Sequence, residues 1–291
     1  LIQIDITIAT ANVLTLRTED CPQQGTSISR QFVIMQQFHD AGCIFVGIQE
    51  TRHKHLAGTN NPWYHVLGHP ATSNGQDGIQ LWISSCIPVS TTNILIRREH
   101  ICIVYSSSTT LIAKVNVGSW KCVVVTSRAP HSGRPRQEAL SHWSTITTEL
   151  HRKASGWPIF YCGDANAHVG ECPTTSIGDL ASAQENQAGE VFHHWLLKHS
   201  LKLPATFAAS HSGPAHHSFC SPDGKHGTRI DYVAIPQELQ YKVLKSWVAE
   251  DIDLSVHRTD HLAVLCRCTF EVQASKQRQA PLKQKWDSQI G

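Results

Sequence analysis

The sequence predicts an α/β domain built on mixed β-sheets rather than on one doubly wound parallel sheet. Three observations carry this. Short apolar runs rich in β-branched residues alternate with segments whose apolar positions recur at helical spacing. Several of those runs end in an acid or an amide, and the last two begin with one. Strand ends and strand beginnings share one polar rim only where some strands run antiparallel to others.

The elements follow in order. Ile2 to Asn12 alternates apolar with polar residues and predicts a strand with Asn12 at its tip. From Ser29 to Ala41 the residues Phe32, Val33, Met35, Phe38 and Ala41 recur at helical spacing, with Gly42 placed to close the helix. Cys43 to Ile48 is a nearly continuous apolar strand that stops at Gln49-Glu50-Thr51-Arg52. Between Gly78 and Thr126 the runs GIQLWIS, HICIVYSSS, LIAKVNV and KCVVVTS, with a turn at Gly118-Ser119, predict a meander. Pro135 to Lys153 is helical through Leu140, Trp143, Ile146 and Leu150; Pro158 to Cys162 is a buried strand running into Gly163-Asp164-Ala165-Asn166. A helix from Asn186 to Ser200 buries Val191, Phe192, Trp195 and Leu196 and precedes a loop rich in His, Ser, Gly and Pro. Two last strands, Arg229 to Ile235 and Leu262 to Phe270, open with Asp231 in the first and follow Asp260-His261 in the second.

The 291 residues are 41% hydrophobic and 16% charged, which excludes disorder as the main state. A net charge of +2 neither identifies a nucleic-acid binder nor excludes one that uses a local patch. Nineteen histidines would make the chain much more basic in mild acid if they titrated at their ordinary value. Ten cysteines show no CxxC pair, which argues against a zinc ribbon. Cys43, Cys102, Cys122 and Cys162 sit in strand-like runs and read as reduced thiols packed as small hydrophobes in an intracellular protein. No apolar run reaches the roughly 18 residues of a membrane span. A chain opening on Leu1 reads as a domain of something longer. Residues 1–271 show no repeat and no composition break, so they read as one domain; 272–291, with Lys276, Arg278, Lys283 and Lys285, read as a basic linker or tail. There is no GxSxG, GxxxxGK[ST] or GxGxxG pattern, and His216-His217 has no partner at a recognised metal spacing.

Taken singly, the polar tips have ordinary structural explanations: Asn12 capping a turn, Glu50 opening a helix, Asp231 pairing with Arg229. Together they make a phosphoryl-transfer set. Glu50 is a hard oxygen donor of the kind Mg²⁺ takes. Asp164 can orient and deprotonate a water while the Asn166 amide donates to a phosphate oxygen. His261, held by a carboxylate such as Asp231, can stay protonated and stabilise a pentavalent phosphorane.

In this order, Asn12, Gln49-Glu50-Thr51, Gly163-Asp164-Ala165-Asn166, Arg229-Ile230-Asp231-Tyr232 and Thr259-Asp260-His261 resemble the endonuclease/exonuclease/phosphatase superfamily, which includes DNase I and the exonuclease III-type abasic-site nucleases. The resemblance implies a four-layer α/β sandwich of two packed mixed sheets flanked by helices, and Mg²⁺-dependent phosphoester hydrolysis, with Mn²⁺ as a substitute. It places Glu50, Asn12 and Asp260 at the metal, Asp164 on the attacking water, Asn166 on phosphate and Asp231 behind His261. The wording around the motifs, including Ala129-Pro130-His131-Ser132-Gly133 and Asp164-Ala165-Asn166-Ala167-His168-Val169-Gly170, is similar to the endonuclease domain of non-LTR (LINE-type) retrotransposons. That implies a nuclear, monomeric domain, not secreted and with no membrane role. It would nick duplex DNA to leave a 3′-hydroxyl and a 5′-phosphate and be joined to a reverse transcriptase in its parent polyprotein. Three positions depart from the pattern: Arg128 where relatives have tyrosine or histidine, Leu14 where an aspartate is frequent, and Thr228 where abasic-site enzymes carry tryptophan. An arginine keeps the charge role at phosphate.

On the substrate side, Arg128, His131, Arg134, Arg136 and Arg229 flank the proposed site and are candidate phosphate contacts, with the loop from His211 to His226 as the specificity element. Two other readings use the same core residues, an abasic-site repair endonuclease and a lipid or inositol phosphoesterase. The second would want a hydrophobic membrane-docking loop, and the sequence has none.

Overall fold

The computed structural model describes residues 1–17, 29–54, 61–180, 183–221, 225–254 and 260–274. Thr259, Cys21 and the basic residues of the expected tail lie outside them. In chain order the elements are β1 (Ile2–Asn12), α1 (Arg30–Asp40), β2 (Cys43–Gln49), β3 (Tyr64–His69), β4 (Ile79–Ser84), β5 (Ile101–Ser106), β6 (Thr110–Val117) and β7 (Trp120–Arg128). There follow α2 (Arg136–Ala154), β8 (Ile159–Asp164), α3 (Gln187–Lys198), β9 (Leu201–Lys202), β10 (Phe219–Cys220), β11 (Gly227–Thr228), β12 (Asp231–Pro236), β13 (Tyr241–Ala249) and β14 (Ala263–Val272).

Two six-stranded mixed sheets result, ordered β13-β14-β1-β2-β4-β3 and β5-β6-β7-β8-β12-β9. Each holds one parallel pair, β1 with β2 and β7 with β8, joined through α1 and α2; the other neighbours within the sheets run antiparallel. The side-chain period of two then sorts each strand. Ile4, Ile6 and Ile8 of β1 face the inter-sheet core with Phe160, Cys162 and Phe270, while Ala9 and Ala11 face Ile34, Met35 and Phe38 of α1. On the other flank Trp143, Phe192 and Trp195 of α2 and α3 cover Tyr161 and Tyr232, with the Trp143 ring 4.7 Å from Trp195 and 4.8 Å from Phe192. The layers are therefore helix, sheet, sheet, helix pair.

Local signals set the helix ends. The Ser29 side chain accepts from the Phe32 amide at the start of α1, and Asn186 caps α3 by accepting from the Gly189 amide. Gly42 follows α1 at φ +73°.

The expected meander is divided. Ile79–Ser84 pairs with β2 and β3 in the first sheet, and only β5, β6 and β7 run as a meander in the second. The apolar content of these runs is the same, so strand identity was legible and sheet membership was not. Two edge strands, β3 and β13, carry no clean apolar run, so no local pattern predicts them; Val243 of β13 is 38% exposed. Cys102 is exposed rather than packed, while Cys43, Cys122 and Cys162 are buried, and burial raises the thiol of each.

Candidate active site

The inward face of each central strand runs out at the same edge of the sandwich. Ile4, Ile6 and Ile8 lead to Asn12; Cys122 and Val124 lead to Arg128; Phe160 and Cys162 lead to Asp164; Val233 and Ile235 lead back to Asp231 at the start of β12. Register completes the convergence. Asp164 lies opposite Arg128 in the parallel ladder and opposite Asp231 in the antiparallel one, and Asn12 lies beside Gln49. The two sheets meet closely below this rim: Gly47 leaves no room, since a Cβ there would fall 2.5 Å from Thr126 Oγ1 and 2.6 Å from the Cys162 carbonyl oxygen. Gln49 bridges the sheets by donating to Thr126 Oγ1 at 3.0 Å.

Asn12 Nδ2 donates to Glu50 Oε1 at 3.0 Å and to Asp164 Oδ2 at 3.1 Å, so one amide ties the carboxylates of the two sheets together. Its oxygen accepts from the Leu14 amide, which makes Asn12 an orienting group here rather than an open oxygen donor. Asp164 Oδ1 accepts from the Asn166 amide at 2.9 Å, and Asn166 Nδ2 donates to the Ala129 carbonyl. His261 Nδ1 lies 2.9 Å from Asp231 Oδ2, which leaves Nε2 without a protein partner among the described residues. Ligand atoms of Asp164, Asp231 and His261 all fall within 4.8 Å of one another. The loop at Ser218 holds this corner: its hydroxyl accepts from the Ile230 and Asp231 amides, and its carbonyl accepts from Leu262.

The charges are arranged accordingly. Burial and the facing Asp231 raise the Asp164 carboxyl well above the aspartate range, against the pull of His261 and Arg128. Burial alone would lower His261, but the charge and hydrogen bond of Asp231, with Asp164 and Asp260, raise it to about 9, so the ring is protonated at neutral pH. Glu50 is the reverse case. Burial would raise its carboxyl, yet Arg128, the Asn12 amide and Arg52 outweigh that and hold it below the glutamate value. Arg52 Nη2 donates to Glu50 Oε2 at 3.0 Å; Arg128 Nε lies 2.9 Å from Oε1, off the hydrogen-bond axis, so that contact is ionic. Leu14, Glu50, Arg52, Asp77 and Asn166 all have φ between 47° and 62°, a left-handed geometry rare outside glycine that clusters at this rim.

Of the residues singled out in the sequence, Arg128, His131 and Arg134 line one cavity of about 410 Å³ beside Glu50. Arg136 and Arg229 do not join them. Arg136 opens α2 and pairs with Glu190 of α3 at 3.4 Å. Arg229 is mostly enclosed and donates to the carbonyls of His216 and Leu180, so it ties loops together instead of presenting its charge. Asp231 pairs with His261 and not with its neighbour Arg229, and Glu50 directly follows strand β2 instead of opening a helix. Sequence reasoning missed Arg52, whose place two residues after Glu50 was a usable signal. It also missed Asp77 and His142, which line the same cavity and belong to no motif.

No protein-family model matches the chain, and no curated protein matches it in sequence. Solved structures do match. The AP endonuclease LMAP from Leishmania major has a TM-score of 0.63 at 15% identity, covering 93% of this chain and 89% of its own. An endonuclease/exonuclease/phosphatase family protein from Bacteroides thetaiotaomicron gives 0.61 at 13%, covering 93% and 99%. The endonuclease domain of TRAS1, a telomere-specific non-LTR retrotransposon, gives 0.55 at 13%, covering 91% and 98%. The chain has the endonuclease/exonuclease/phosphatase fold.

This fold implies a divalent cation, and the rim residues fit one. Asp231 Oδ1, within the Asp164–Asp231–His261 cluster, and Asp260 Oδ1, next to His261, are buried without a hydrogen-bond partner, and Glu50, tied to Asp164 through Asn12, is a carboxylate held ionised; all are hard oxygen donors of the class Mg²⁺ prefers. Among the described residues no helix is long and apolar enough to cross a membrane.

Proposed function

We propose that this chain is a phosphodiesterase that nicks duplex DNA, leaving a 3′-hydroxyl and a 5′-phosphate, and that it is the target-nicking endonuclease domain of a non-LTR retrotransposon polyprotein. One observation carries the chemistry: Asp164, Asp231 and His261 converge within 4.8 Å, with Asn12 linking Asp164 to Glu50. The retrotransposon assignment is supported by the motif wording and by the similarity to the TRAS1 domain. In this reading the domain acts in the nucleus as a monomer, linked to a reverse transcriptase.

Each residue has a task. Asp164, made more basic by burial and by Asp231, accepts the proton of the attacking water as the new P–O bond forms and the P–O3′ bond breaks; the 3′ oxygen is protonated from solvent. His261, kept cationic by Asp231, donates from Nε2 to the phosphoryl oxygen on which charge develops. Arg128 neutralises a second phosphate oxygen, and Arg134 and His131 contact the neighbouring backbone across the cavity. Glu50 and Asp260 would hold Mg²⁺ or Mn²⁺, which when bound supplies Lewis-acid stabilisation of phosphate charge.

The test is supercoiled plasmid with Mg²⁺, with and without chelator. Open circles that appear only with the metal, and that a polymerase extends directly, are expected. Absence of nicking together with hydrolysis of an inositol phosphate or a phospholipid would overturn the reading. Cleavage confined to a duplex with a single abasic site would assign the activity to repair instead.

A further inference from the structure

We propose that Asp77 is a positioning residue: its carboxylate holds the Arg128 guanidinium beside Glu50 so that one nitrogen faces the cavity, ready for a substrate phosphate. This deepens the phosphodiesterase reading above and rests on it.

A guanidinium on a long flexible stem grips phosphate well only if it is ordered beforehand. Two acids order this one. Nη1 of Arg128 donates to Asp77 Oδ1 at 3.0 Å, and Nε lies 2.9 Å from Glu50 Oε1. Nη2 has no protein partner among the described residues and is not buried, and Arg128 lines the cavity together with Arg134 and His131.

Asp77 is built into the site rather than met there by chance. It adopts φ +62°, and its carbonyl accepts from the Arg52 amide at 2.9 Å, while the Gly78 carbonyl accepts from the Thr51 amide at 3.0 Å. This turn is thus stitched to the segment that carries Glu50. The approach requires glycine next door: Gly78 has φ +89°, and a Cβ there would lie 2.6 Å from Thr51 Oγ1. The charge count points the same way. Glu50 already takes Arg52 and the Asn12 amide, so without Asp77 the whole Arg128 charge would fall on one carboxylate. With it, two acids face two arginines, and Arg128 keeps a fixed direction.

The experiment is a double-mutant cycle on nicking of a defined duplex, using Asp77→Asn, Arg128→Gln and the pair, with Asp77→Glu as the conservative variant and thermal unfolding as a fold control. Asp77→Asn is expected to raise KM for the duplex about tenfold, roughly the effect of one charge-assisted hydrogen bond, with a smaller effect on kcat. Asp77→Glu should recover part of the loss, and the double variant should be no worse than Arg128→Gln alone. Losses that add in full, or an Asp77→Asn enzyme equal to wild type, would overturn the proposal while wild-type nicking upholds the function. A wild-type chain that does not nick overturns both. If Asp77→Asn unfolds, the cycle is read with Asp77→Glu, where full additivity again counts against the proposal.

Discussion

Replacing Asp231 by asparagine tests the electrostatics of the site most directly. The substitution keeps the size of the side chain and deletes the charge 2.9 Å from His261 Nδ1. That charge is the largest of the influences that oppose burial and, with the Asp231 hydrogen bond and the smaller pulls of Asp164 and Asp260, raises the ring to about 9 from an ordinary 6.5. The difference corresponds to roughly 3 kcal/mol between the protonated and neutral ring. Because the folded value is raised, this stabilisation is fully present below about pH 6.5 and is lost as pH rises through about 9. In Asp231→Asn, burial acts with less opposition, so His261 should titrate at or below 6.5, and at pH 7.5 only about one ring in ten or fewer would carry a proton. Two assays read this: the Cε1 proton of His261 followed by NMR from pH 5 to 10, and nicking rates over the same range. The expected results are a midpoint that falls by two pH units or more, and a nicking rate that drops at least about tenfold at pH 7.5 with partial recovery near pH 6. A variant ring that still titrates near 9 would refute the reasoning, because the raised value would then come from elsewhere.

Three further outcomes are expected. Asp164→Asn should lower nicking by about 10²-fold or more without lowering the denaturant midpoint, because it removes a like charge placed opposite Asp231 in the ladder; a clear loss of stability would contradict that placement. Gly47→Ala should cost about 1–3 kcal/mol by forcing the sheets apart at Thr126 and Cys162, read as a fall in thermal midpoint. His142, pushed down to about 4 by burial, and His199, pushed down to about 4 by burial with the charges of His151 and Lys198, are neutral in the folded chain, so stability should be complete above pH 6.5 and fall between 6.5 and 4 by up to about 1.4 kcal/mol per pH unit for the enclosed His142 and by less for the partly exposed His199, which solvent screens. Denaturation at pH 7 and pH 5 would measure this, and replacing both rings by glutamine should flatten the dependence.

Burial also sets the titration of several of the nineteen histidines. His53, His142, His168, His199 and His211 are all lowered by it, so mild acid does not simply charge them, and His261 alone among the described residues is shown raised. Composition counts the rings, but their titration depends on which ones the fold encloses.

The sequence by itself determined the central strands, the three helices and the residues at the strand tips, because periodicity, caps and turn residues act over a few positions. Asn12, Glu50, Asp164, Asp231 and His261 were legible for that reason: each ends or precedes a strong apolar run, and mixed strand direction brings such ends to one edge. Only the tertiary structure decided what those tips touch. Arg229 and Arg128 look alike in the sequence, both beside a strand and near an acid, yet one is enclosed by the carbonyls of His216 and Leu180 while the other stands between Glu50 and Asp77 with a nitrogen free. Asp77 belongs to no motif and lies 51 positions from Arg128. Such partners are chosen by the register and packing of two sheets, and no local pattern encodes an agreement between strands that distant.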